Sequence, residues 1–413
     1  MKKKILFILT VLLILLSIND CIAEVLEIGD YKLNVLDNET AEVIKYLGTE
    51  AYVSVPSKIQ GFNIISIKDM TFQSYDKLVS VVIPDSIASI GNMAFFKCKN
   101  LESIYVSPDN NYYASIDGVL FSKENKSLVF FPQGKQISEY SVPDGIESIE
   151  SNAFYECSNL TKITLPDGLK KLKTAFTNTY NLKTVVLPDT LIEIESNPFI
   201  NCNNLENIIV SPDNPTFAVI DNVLFNKAEK MLIAFPAGKK VSEYNIPQGI
   251  THINKAAFWE CDNLKIVSLP EGVFSIGDSA FFQCSNLTIV TLPETLVSIG
   301  KDAFYNCKKL NTIAFPDNLS SIGESAFSMC VSLSKIVFPV NLSMVGKDAF
   351  TLCGLISVTM PDSVFEIIKV DEVFRGMNLK NITWVVERNS KMREWAIKNG
   401  FPYTYSDANN WLN

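Results

Sequence analysis

The chain contains a single histidine, His252. Histidine-rich metal sites are therefore excluded, and a Ser-His-Asp triad has only this one residue to use. His252 lies in "THIN", where the equivalent stretch of the chain is "ESIE" from Glu147, so it reads as an ordinary exposed-face residue. No serine sits in a nucleophile elbow. Basic charge is also scarce, with 36 Lys and Arg against 45 Asp and Glu. That balance argues against a nucleic-acid partner, which needs a basic face. No CxxC pair occurs among the nine cysteines. After the first 23 residues no apolar run is long enough to span a bilayer, so no integral membrane segment is expected in the mature chain. Carboxylates recur mostly after prolines, and no pair stands out as an acid–base couple. No catalytic residue, metal site or cofactor is called for.

The beginning of the chain is distinct. "MKKK" is basic, "ILFILTVLLILLSI" is apolar, and "CIA" ends on Ala23. This is the pattern of a secretory signal, residues 1–23, cleaved after Ala23. Lipidation at Cys21 is the competing reading, and Asp20 fits its usual recognition motif poorly. The mature protein is expected to be secreted or held at the cell surface, and to be a monomer.

The rest of the chain repeats. "GDSAFFQCSNLTIVTLPETLVSI", "GKDAFYNCKKLNTIAFPDNLSSI" and "GESAFSMCVSLSKIVFPVNLSMV" follow one another from Gly277 to Val345 without a gap. Phe258, Phe281, Phe304, Phe327 and Phe350 are spaced by 23 residues, and Phe72, Phe95, Phe154, Phe176, Phe199 and Phe374 extend the series. A fixed period in this range marks a solenoid, in which each unit buries its apolar edge against its neighbours. Each unit is expected to hold one parallel strand, such as "LTIVTLP" ended by Pro293, and a short helical or 3-10 turn, such as "DAFYNC". Two units are lengthened, at 107–160 and 211–264, and each additional stretch reads as a hairpin or an extra pair of turns. Residues 24–51 are expected to form an N-terminal β cap, 52–383 the solenoid and 384–413 a C-terminal helical cap.

Eight cysteines form one column: Cys98, Cys157, Cys202, Cys261, Cys284, Cys307, Cys330 and Cys353 each follow a register Phe by three residues. Tyr75, Thr179 and Met377 hold the same place elsewhere, a substitution pattern that packing tolerates and covalent pairing does not. Buried free thiols acting as small hydrophobes are favoured over disulfides, with metal binding last.

The unit C-x-x-L-x-x-[IV]-x-[ILFM]-P-x-x-[ILV]-x-x-I-G-x-x-A-F resembles the BspA-type leucine-rich repeat of bacterial secreted and surface proteins, over about residues 52–383. The resemblance implies a leucine-rich-repeat solenoid, surface display or secretion, and adhesion to host matrix proteins or other cells. It implies no catalytic site.

Partner choice must then reside in the positions that vary. The outward residues of the repeated strand include Val82, Tyr105, Thr164, Val186, Ile209, Ser268, Thr291, Ala314, Val337 and Thr359 at one position, with Thr383 completing that series; the second series runs from Ser80 to Asn381. Only Lys162 and Lys335 are charged in these two series. A nearly neutral, β-branched face suits contact with an extracellular or host protein. β propensity alone selects the same residue types. Two other function classes stay open: a structural or glycan-binding envelope protein, and a carboxylate-based hydrolase.

Overall fold

The computed structural model describes residues 24–407, so the leader at 1–23, with Cys21, and the last six residues of the C-terminal cap lie outside the described residues. The chain is a β-solenoid of about 16 turns with few helices. It divides into two compact units, the first ending at Gln136 and the second starting at Ile137.

The first unit opens with an antiparallel meander, Glu24–Ile28, Tyr31–Val35 and Thr40–Tyr46. Gly29, at φ 58°, makes the two-residue reversal between the first pair possible. Thr40–Tyr46 then pairs in parallel with Phe62–Ile67, which begins the stacked arrangement. Tyr52–Ser54, Ser80–Ile83 and Ser103–Val106 form a second parallel sheet. Between the sheets Phe72 and Phe95 stack at 5.4 Å.

In the second unit the repeated turn is built from three backbone ladders. One is the expected strand, for example Ile266–Ser268 paired in parallel with Ile289–Thr291. A further strand of only two residues follows the proline turn, and Ser275–Ile276, Ser298–Ile299, Ser321–Ile322 and Met344–Val345 pair in series. The third ladder runs through the connecting segment. This segment is a succession of i→i+3 turns rather than a continuous 3-10 helix. The amides of Asp302, Phe304 and Asn306 donate to the carbonyls of Glu324, Ala326 and Ser328 at 2.7–2.8 Å. To aim those amides along the stack, Asp302 and Asn306 take left-handed conformations, at φ 52° and 59°. For a non-glycine residue that costs about 1–2 kcal/mol, and Asn and Asp bear it best. The cross-turn hydrogen bonds, each worth about 1 kcal/mol net, offset it.

Every register Phe from Phe258 to Phe350 is buried, and neighbouring rings stack nearly parallel at 4.6–5.3 Å. The repeated glycine serves close approach rather than a corner. Gly323 has no left-handed φ, yet a Cβ there would lie 2.5 Å from the Gly300 carbonyl carbon and the Lys301 amide nitrogen. Gly323→Ala is accordingly expected to lose about 1–3 kcal/mol through overpacking. Urea unfolding checks this, and an unchanged midpoint would contradict the packing argument.

The lengthened units contain antiparallel three-stranded sheets: Tyr113–Ile116, Val119–Ser122 and Ser127–Phe130 in the first unit, and Phe217–Ile220, Val223–Asn226 and Met231–Ala234 in the second. Each is anchored by one buried asparagine. Asn214 donates to the carbonyls of Pro188 and Leu191 at 2.9 Å and accepts from the amides of Thr216 and Phe217. Asn110 makes the same four bonds with Pro84, Ile87, Tyr112 and Tyr113. All the bonding capacity of a carboxamide is used, so these residues fix the backbone where the period changes.

Near its end the second unit turns helical. Ser390 caps the helix Lys391–Asn399 by accepting from the Arg393 amide at 3.1 Å, and Gly400 ends it at φ 67°. Strand Tyr403–Tyr405 then pairs with Thr383–Val386.

Candidate functional site

The cysteine column is a line of hydrogen-bond donors. Cys202, Cys284, Cys307, Cys330 and Cys353 direct Sγ at the carbonyl of the register Phe one turn back, at 2.9–3.2 Å. In the first unit Cys98 does the same to Phe72 at 2.9 Å. Thr179 fills the place with a hydroxyl, 2.7 Å from the Phe154 carbonyl. A thiol or a hydroxyl fits because it gives the register Phe carbonyl a second donor beside the amide three residues on, such as Cys284 to Phe281 at 3.2 Å. Cys157 and Cys261 contribute weaker contacts, at 3.8–3.9 Å. All eight cysteines are free thiols, and only Cys353 is less than fully enclosed. Burial pushes Cys98 and Cys353 up to about 12, and it raises the other six as well. Such thiols are not thiolates at neutral pH and react slowly. Iodoacetamide should leave the folded protein almost unmodified and should alkylate eight sites on a denatured chain beginning at Glu24, as counted by mass spectrometry. Four disulfide-linked peptide pairs would overturn this account.

The outward positions of the repeated strand lie as follows. In the first unit Val82 and Tyr105 are 40% and 53% exposed on neighbouring strands. In the second, Thr164, Val186 and Ile209 face each other across three paired strands, with Ile209 the most open. Ser268 and Thr291 sit side by side on another sheet, and Val337 and Thr359 on a third. Ala314 is exposed but belongs to no strand; its segment keeps a β-bridge between Ile289 and Thr312 and packs Ile313 and Phe315 inward.

Three features depart from the sequence reading. First, the outward face of the second unit is not one continuous column. The strands from Glu139–Ser141 to Asn207–Val210 form one sheet, those from Glu243–Asn245 to Ile289–Thr291 a second, and those from Lys335–Val337 to Tyr403–Tyr405 a third. Second, the register shifts by two residues near the end. Thr383 pairs with Ser357 and Val385 with Thr359, so Val385, not Thr383, continues the series. The 3-10 turn Leu379–Asn381 takes up the residues that sequence alone assigns to the strand. Third, strands without the opening Leu join the face. Tyr52–Ser54 brings Tyr52, 74% exposed, and two others bring Glu139 and Glu243. The alternation in "YVSVP", "EYSVP" and "EYNIP" carries that signal. Glu139 pairs with Lys162 at 3.4 Å, so the added charge is partly balanced.

His252 is half-buried in a two-residue strand, and its ring nitrogen Nδ1 lies 2.8 Å from the Thr251 hydroxyl. Among the described residues no group of three His, Cys, Asp or Glu side chains is placed to hold a metal ion. No helix there is long and apolar enough to cross a membrane.

With the stacked Phe, the thiol column and the repeated strand in view, the comparison with known families is direct. The family model described as BspA type Leucine rich repeat region matches in six copies, over residues 51–141, 129–245 and 251–380. The chain belongs to this family. Among solved structures, two share its fold. A leucine rich cell surface protein from Faecalibacterium prausnitzii A2-165 is 24% identical, with a TM-score of 0.59 over 91% of this chain and 97% of that one. The pneumococcal vaccine antigen PcpA is 20% identical, with a TM-score of 0.62 over 93% of this chain and 99% of that one. Comparison with curated proteins gives no match. In this BspA-type protein, the residues that define the family are those that build the turns.

Proposed function

We propose that this protein acts outside the cytoplasm, secreted or at the cell surface, and binds an extracellular or host protein through the outward faces of its parallel sheets, without catalysis. The carrying observation is the chemistry of those faces. Val82, Tyr105, Ile209, Ile289 and Val337 are each at least 40% exposed on strands with few charged neighbours. Apolar and aromatic groups held on rigid strands lose little freedom on binding, which favours protein contacts. Membership of a family of bacterial surface proteins and the secretory leader expected at 1–23 support the same reading. The two structural relatives, a cell surface protein and a vaccine antigen, are consistent with it. Residues 24–51 and 384–413 serve in this proposal as terminal caps, and the protein works as a monomer without a cofactor.

The test is retention of the purified protein on three supports: immobilised extracellular-matrix proteins, purified cell-wall glycan, and a panel of glycoside substrates assayed for hydrolysis. Saturable retention on a matrix protein supports the proposal, whether or not a short saccharide also binds. Retention on glycan alone, or turnover of a glycoside, replaces it with one of the other two classes.

A further inference from the structure

Within the second unit, the first two outward sheets are separated by the lengthened repeat, and a pocket of about 450 Å³ lies beside the entries of their strands. Its lining includes Lys183, directly before strand Thr184–Leu187, and Glu206, directly before Asn207–Val210. From the far side Lys240 precedes Glu243–Asn245 by three residues, and Asp262 lies in the turn leading to Ile266–Ser268. The 36 additional residues of the lengthened repeat fall between the strands on the two sides of the pocket. Its floor is fixed by backbone. The Gly238 amide donates to the Leu205 carbonyl at 2.8 Å, and a Cβ on Gly238 would lie 2.5 Å from the Asn204 carbonyl carbon.

The lining selects a ligand class. Two ammonium groups face three carboxylates, so a polyanion gains little there and the lysines oppose a metal ion. Most of the surface is polar, which disfavours an apolar ligand. The lining groups are held by bonds among themselves and to the backbone. Lys240 and Glu206 pair at 3.4 Å, the Asn203 carboxamide donates to Glu260 at 3.1 Å, and that of Asn204 donates to the Tyr180 carbonyl at 2.9 Å. A hydroxyl both donates and accepts, so adjacent ring hydroxyls suit a lining that mixes ammonium, carboxylate and carboxamide groups. Tyr180 is 42% exposed next to Asn204, and its phenol is raised by burial and then by the charges of Glu156 and Glu260. The volume falls in the range of about 300–1,000 Å³ seen for small-ligand sites.

We propose that this pocket binds a short neutral saccharide of one or two rings, whose hydroxyls bridge the lysine ammonium groups and the carboxylates of Glu206, Glu260 and Asp262. The site is distinct from the protein-binding faces, and either can fail without the other.

Saturation-transfer NMR on the full chain tests it, with N,N′-diacetylchitobiose, lactose and maltose as the probes. At least one probe should receive saturation at its ring protons. Asn203→Ala combined with Glu260→Gln should weaken that probe's binding at least tenfold with the circular dichroism spectrum unchanged, and Ile209→Glu should leave it intact. Should the double variant fold poorly, Lys183→Met, a change at an exposed side chain, is expected to weaken binding in the same direction. No transfer to any of the three probes overturns the proposal, as does binding that survives both sets of substitutions.

Discussion

Phe304→Ala is expected to lower stability by about 3–5 kcal/mol, the cost of emptying a fully enclosed aromatic site. The Phe304 ring lies between Phe281 at 4.9 Å and Phe327 at 5.1 Å, tilted from them by only 4° and 7°. Its solvent exposure is nil. The rings above and below remain stacked on their other faces, Phe281 on Phe258 at 4.6 Å and Phe327 on Phe350 at 5.3 Å, which opposes collapse into the gap. The loss should also be local. Coupling in a solenoid runs between nearest neighbours, so amide hydrogen exchange should quicken first between about residues 281 and 327. Lys308→Ala, on the exposed corner of the same turn, should change stability by less than about 0.5 kcal/mol. Uniform acceleration of exchange over the whole second unit would contradict the nearest-neighbour account.

Thr164→Glu, Val186→Glu and Ile209→Glu together are expected to lower affinity for a matrix partner at least tenfold, which is about 1.4 kcal/mol. The three positions are directly opposed on adjacent strands. A partner seated there must desolvate three carboxylates, each costing a few kcal/mol unless paired. Their mutual repulsion weakens the sheet only modestly, since all three point outward and stay hydrated. Titration by surface plasmon resonance against the retained matrix protein gives the affinity, and far-UV circular dichroism checks the fold. Unchanged affinity in a folded variant would remove this face from consideration.

The turn is legible in the sequence because its inward residues cannot vary independently. A Phe that stacks on its own copy, and a Leu and an Ile that close the same layer, must recur at one period, and that period is visible without a structure. Residues that act through backbone geometry are harder to see. The two-residue strand Ser298–Ile299 is too short for alternation to show. The thiols look like small hydrophobes until the 3.1 Å contact from Cys307 to the Phe281 carbonyl shows a second task, which Thr179 performs with oxygen. The left-handed residues are marked only by a scatter of Asn and Asp, diluted by Met329 and Leu352 at equivalent places. The candidate face is the least legible element. An opening Leu marks most of its strands, and those beginning with Tyr52, Glu139 and Glu243 lack that mark. The final register is hidden as well, because a 3-10 turn intervenes before Thr383.

The division of the second unit's outward face into three sheets changes the arithmetic of attachment. A single uninterrupted strip would reward a long ligand in proportion to its contact length. Separate strips instead behave as linked binding modules. A ligand short enough for one strip meets three separate chances but gains only one strip's affinity. A fibrous partner carrying repeated epitopes at the strip spacing converts the second contact into an intramolecular event, at an effective concentration that reaches millimolar for closely tethered sites. On the proposed function, weak individual strips suffice to hold a polymer while letting its soluble fragments go, with the lengthened repeat between the first and second sheets setting the favoured spacing.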